Sequence, residues 1–140
     1  MLYVWDIPVA VGRLEVNPVE TPLRLAHGII TWYSIQFPPG CAGLAHCRIF
    51  HREHQIVPSR EAQDLSGDTF PIEWTDYYEM YEPPYDLLAR CWNDDDTYPH
   101  KVTIRIAVVP RKSIIAYQIA DTLKGLIGML SPKRIFTRGA

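Results

Sequence analysis

The 140-residue chain lacks an uninterrupted apolar run long enough to span a bilayer, a cysteine pair and an excess of either charge. It also carries no glycine-rich phosphate loop, no GxSxG elbow and no HExxH motif. Each absence removes a class of function. Cys41, Cys47 and Cys91 are odd in number and none stands in a CxxC spacing, so reduced thiols are expected, two of them in the core, and a disulfide framework is not. A net charge of -2 gives no reason to expect nucleic-acid binding. The N-terminal MLYVWDIPVAVGRLEV has neither the basic flank nor the continuous apolar core of a signal peptide. Ser34, Ser59, Ser66, Ser113 and Ser131 lie in no motif that would activate a hydroxyl, so no catalytic residue and no cofactor is expected.

Proline is abundant instead. Twelve prolines are about twice the ordinary share of ~5%. Proline is excluded from helix interiors and central strands, so the chain is expected to be rich in loops and strand ends. An apolar content of 47% is that of a globular protein. Between the prolines lie short alternating runs. Residues 12–16 and 23–27 are brief strand candidates. Ile29–Phe37 is the strongest, with Ile29, Thr31, Tyr33, Ile35 and Phe37 on one face and Ile30, Trp32, Ser34 and Gln36 on the other. In 44–55 the more apolar face is Ala45, Cys47, Ile49 and His51, which is predicted to point inward. Residues 72–81 alternate as a strand, although a short helix fits them too. Tyr85–Trp92 and Lys101–Val109 alternate cleanly around the polar loop NDDDTYP and are predicted to form an antiparallel hairpin. Strands at intervals of about 8–14 residues with no helical pattern between them predict an antiparallel β-sandwich or jelly roll over residues 1–110.

Three clusters invite chemistry. Cys41, His46, Cys47, His51 and His54 suggest zinc, but on one strand Cys47 and His51 would lie about 13 Å apart at ~3.3 Å per residue, too far to share a tetrahedral ion. No metal site is therefore expected there. Asp94, Asp95 and Asp96 offer calcium-type oxygens without the EF-hand spacing, and turn-forming alone accounts for them. Trp74, Tyr77, Tyr78 and Tyr81, interleaved with Glu73, Asp76, Glu79 and Glu82, describe either a subunit contact or a sugar-binding platform. Pro38–Gly43 reads as a tight corner between strands.

The pattern changes after Pro110. Residues 112–130 read as one amphipathic helix whose apolar stripe is Ile115, Ile119, Leu123, Leu126 (or Ile127) and Leu130. Gln118, Asp121, Thr122 and Lys124 fall largely off that stripe. Gly125 and Gly128 each cost about 0.8–1 kcal/mol of helix propensity, so the helix needs a surface to lie on. Its own sandwich, a neighbouring protein and a membrane are the three destinations. A membrane is the least favoured, because the polar face is not strongly basic. Residues 111–140, including the basic tail with Lys133, Arg134 and Arg138, are thus an arm rather than a domain.

The stretches ITWYSIQFPPGCAGLAHCRIFH and LARCWNDDDTYPHKVTIRI give residues 12–110 a resemblance to small β-sandwich proteins of bacteriophage particles, of the decoration or minor head type. That resemblance implies a homo-oligomer, often a trimer, which sits among capsid or other assembly proteins of a virion made in the host cytoplasm. It implies no enzyme activity. The function expected is a structural assembly protein that docks through Trp74, Tyr77, Tyr78, Tyr81 and the helical stripe. The alternative is a carbohydrate- or ligand-binding module, calcium-assisted at Asp94–Asp96.

Overall fold

The computed structural model describes residues 1–129 and contains nine strands and one helix. The strands are β1 (Leu2–Val9), β2 (Val19–Arg24), β3 (Gly28–Gln36), β4 (Ala45–His51), β5 (His54–Val57), β6 (Leu65–Ser66), β7 (Ile72–Met80), β8 (Asp86–Asn93) and β9 (His100–Val109). The helix α1 spans Arg111–Met129. The chain divides after Val108, so that the sandwich is one unit and α1 belongs to a second.

Strand order is β1-β9-β3-β7 in one sheet and β2-β8-β4-β5 in the other, with β6 also paired to β4. With the two-residue β6 set aside, the remaining eight strands divide as first, eighth, third, sixth against second, seventh, fourth, fifth. That is the order of a jelly roll, in which the chain passes from sheet to sheet at nearly every connection. The sequence-based expectation of a mainly β fold with a C-terminal helix holds.

Alternation builds the core between the two sheets. Val102, Ile104, Ile106 and Val108 of β9 are buried, and they face Ala45, Cys47 and Ile49 of β4 and Leu87, Ala89 and Cys91 of β8. Cys47 and Cys91 are cross-strand partners with their sulfurs 3.5 Å apart, and all three cysteines are free and buried. Burial pushes the Cys41 thiol up to about 11, the acids Asp68 and Asp95 adding to it. Asp68 shapes the Pro38–Gly43 corner by accepting the backbone N–H groups of Gly40 (3.0 Å) and Ala42 (3.1 Å).

Four expectations change. Strands β8 and β9 do not pair; they lie in different sheets, and the loop between them crosses the sandwich. Their matched alternation arises because both turn an apolar face to the same core. Residues 12–16 form turns, whereas the N-terminal LYVWDIPV forms β1, paired with β9 from Leu2↔Ala107 to Val9↔His100. The single strand expected over 44–55 is a hairpin. Its turn, Arg52-Glu53, has positive φ at both residues (51° and 68°), the geometry that matches strand twist. In β3 the register shifts between Ile30 and Trp32, so Ile30 joins Tyr33, Ile35 and Phe37 in the core cluster, and Ile29 lies outside it. Two residues of β7, Asp76 and Tyr77, there oppose one of β3.

Candidate functional site

Strand β7 is a sheet edge, paired among the described residues to β3 on one side only. The bulge at Asp76-Tyr77 interrupts the alternation of its side chains: Trp74 and Tyr78 are half-buried on the core side, whereas Asp76 and Tyr77 are exposed. The Trp74 ring stacks on the buried Tyr33 ring at 4.9 Å and 17°. Tyr78 meets His51 of the opposite sheet. Tyr81, one residue past the strand, stacks on His27 at 5.6 Å. The four aromatics singled out in the sequence therefore lie in three places: Trp74 and Tyr78 inside the sandwich edge, Tyr77 outside it, and Tyr81 beside His27.

The histidines are held by the fold. His51 Nε2 lies 3.1 Å from the Pro84 carbonyl, which can only accept, so Nε2 donates and Nδ1 accepts from the Tyr78 hydroxyl at 2.6 Å. This bond ties β4 to β7 across the two sheets. On the outer face, His46 is clamped between carboxylates, with Nδ1 2.5 Å from Asp64 Oδ2 and Nε2 2.9 Å from Asp94 Oδ2. Its ring stacks on Trp92 at 5.2 Å, and the Arg48 guanidinium lies over the same indole at 4.8 Å. Arg48 also reaches Glu15 at 3.0 Å. Trp92, on the outward face by alternation, is thereby buried. Neither nitrogen of His46 or His51 is open to take a proton from a substrate. The cluster of Cys41, His46, Cys47, His51 and His54 is split between the core, the outer face and the β4–β5 turn, and no group of three or more metal-binding side chains is formed among the described residues.

The three acids of the β8–β9 loop diverge. Asp94 goes to His46, Asp95 accepts from His100 Nε2 at 2.8 Å, and Asp96 accepts from the Thr97 hydroxyl at 2.8 Å. The Thr97 backbone N–H, and then His100, hold the Asp95 carboxyl below its ordinary range. The Thr69 hydroxyl, and then the Ala42 backbone N–H, do the same for Asp68. A carboxylate whose pKa is lower folded than unfolded stabilises the fold above the unfolded value, near ~4, and loses that contribution as pH falls through the folded one. The melting temperature should therefore fall on acidification below pH ~4. In Asp68→Asn/Asp95→Asn it should be lower at neutral pH and should fall less steeply in acid. An acid limb of unchanged steepness in that double variant would contradict this account.

In α1 the side chains of Ile115, Ile119, Leu123 and Leu126 are between 45% and 56% exposed, and no residue of the helix is buried. At 100° per residue they fall within one stripe, which Ile127 widens. Thr122, at the stripe's border, satisfies its hydroxyl by donating to the Gln118 carbonyl at 2.9 Å, which lets it sit beside apolar neighbours. Leu130 and the basic residues Lys133, Arg134 and Arg138 lie outside the described residues. Among the described residues no helix is long and apolar enough to cross a membrane.

Fold and site together define a jelly-roll β-sandwich protein with a C-terminal amphipathic helix. Compared with known proteins, the chain matches no family model, no curated protein and no solved structure.

Proposed function

We propose that this chain is a non-enzymatic structural protein that self-associates through α1, as a component of a virus particle. The observation that carries this reading is the stripe of Ile115, Ile119, Leu123 and Leu126, an apolar face of about three turns whose side chains are all about half exposed. Its glycines argue the same way. Gly125 and Gly128 weaken the helix by roughly 1 kcal/mol each relative to alanine, so its stability has to come from packing. The jelly-roll order is one used by viral capsid domains, and also by lectins and cupins, so the fold alone does not choose among them. The full engagement of His46 and His51 by the fold favours a structural role over acid–base chemistry. The bacteriophage setting rests on the sequence resemblance.

The partner expected is a second or third copy of the same chain, with other capsid proteins beyond it. Pyrene attached at Gln118→Cys, on the border of the stripe, reports this directly. The three native thiols are buried and should stay unlabelled in the folded protein. Excimer emission that disappears on dilution with unlabelled chain is the expected result; monomer emission alone at high micromolar concentration would rule the reading out.

A further inference from the structure

The sandwich is open along one side, between the edges of β5 and β7, which are unpaired among the described residues, and its lining is drawn from the sandwich alone. Two cavities meet there. One, of about 320 Å³, is lined by Tyr33, Gln55, Ile56, Ser59, Asp76 and Tyr78. The other, of about 200 Å³, adds an apolar wall of Val57, Leu65, Ile72 and Trp74 and shares Ile56, Ser59 and Asp76 with the first. Asp76, exposed at the β7 bulge, lines both cavities and thus stands where they join, with Trp74 in one lining and Tyr78 in the other.

We propose that this trough binds an organic cation, a protonated amine or guanidinium carried on an apolar stem. The charge of the lining sets the sign. Asp76 is its one acidic side chain, with no Lys, Arg or His in either lining. The Asp76 carboxylate accepts only the Tyr77 backbone N–H, through Oδ1 at 2.7 Å, and pairs with no cation of the described residues. Beside it the Tyr33 hydroxyl has no hydrogen-bond partner among the described residues. Burial first, then the neighbouring Asp76 and Tyr78, push that phenol well above its ordinary range, so it stays a neutral hydroxyl. The Gln55 amide nitrogen is fixed by the carbonyls of Pro58, Arg60 and Gln63 at 2.9–3.0 Å, which holds the wall opposite β7 in place. A carboxylate, hydroxyl oxygens and π faces all favour positive charge. An anion would meet the Asp76 carboxylate and no cationic side chain in either lining. The wall of Ile56, Val57, Leu65, Ile72 and Trp74 suits an alkyl or aryl stem rather than a bare metal ion.

Such a cation could arrive as a free amine or as a lysine or arginine side chain of another protein, and the two are separated by the probe. The full chain is titrated with n-hexylammonium, hexan-1-ol and hexanoate, and with acetyl-Gly-Lys-Gly-amide and its Nε-acetylated form, using tryptophan fluorescence and calorimetry. Saturable binding is expected for n-hexylammonium, for the lysine peptide, or for both. Hexanoate and the acetylated peptide should not bind, and hexan-1-ol should bind at least tenfold more weakly than n-hexylammonium. Asp76→Asn should weaken binding at least tenfold and Tyr33→Phe severalfold, whereas Glu79→Gln on the outward face should change nothing. Binding of n-hexylammonium alone assigns a free amine, and binding of the peptide alone assigns a protein side chain. No binding by either cation, equal binding of hexan-1-ol and n-hexylammonium, or full affinity in Asp76→Asn would overturn the proposal.

Discussion

Phe37→Ala is expected to lower the stability of the sandwich by about 4 kcal/mol and its melting temperature by roughly 20 °C. The ring is fully buried in the core cluster, immediately after β3 and before the Pro38-Pro39 corner. Truncation there removes the transfer free energy of the ring and leaves a cavity that the corner, fixed by Asp68, cannot collapse to fill. A domain holds only about 5–15 kcal/mol in total, so this one change consumes a large share of it. Phe70 is the internal control: it is 79% exposed, and Phe70→Ala should stay within about 0.5 kcal/mol of the unchanged protein. Chemical denaturation of both variants checks the contrast. A loss below about 1 kcal/mol for Phe37→Ala would mean that the core is not packed as described.

The second large effect lies in α1. Ile119→Asp/Leu123→Asp should weaken self-association about a thousandfold or more, leaving a monomer at concentrations just sufficient to assemble the unchanged chain. Each of these half-exposed side chains gains about 1 kcal/mol on burial, and each appears once per copy, so a dimer loses ~4 kcal/mol, close to a thousandfold in its dissociation constant. The carboxylates add a desolvation penalty on top of that loss. The sandwich core is untouched, so its melting transition should survive in the variant. Velocity sedimentation read beside a thermal melt separates lost assembly from lost folding. Retained assembly would show that the stripe is not the contact.

The sequence made the buried faces legible and left the partners hidden. Alternation marked Ala45, Cys47, Ile49 and His51 of β4 as inward, and Val102, Ile104, Ile106 and Val108 of β9 as one face, and the structure buries both sets. It could not tell that β8 and β9 face each other across the core instead of pairing side by side, because either arrangement needs the same pattern. The turn at Arg52-Glu53 escaped because it uses left-handed backbone at two residues that are not Gly, Asn or Asp. Strand β1 could have been found from Tyr3, Trp5, Ile7 and Val9, which alternate as well as any run in the chain. The open trough was not legible at all. Tyr33 comes from β3, Gln55 from β5, Ser59 from the loop after it and Asp76 from β7, and only the sheet order brings them together. Asp76 itself was visible only as one acid in an aromatic run. For the His46 clamp the signal was equally distributed, since its two carboxylates lie 18 and 48 residues further along the chain.

The most direct test of self-association through α1 is multi-angle light scattering of the full chain beside a chain ending at Pro110, each followed from low to high micromolar concentration. The account predicts that the full chain reaches a multiple of its 16.1 kDa mass and that the shortened chain, folded by its circular dichroism and melt, stays a monomer throughout. A monomeric full chain, or two chains that assemble alike, would contradict it.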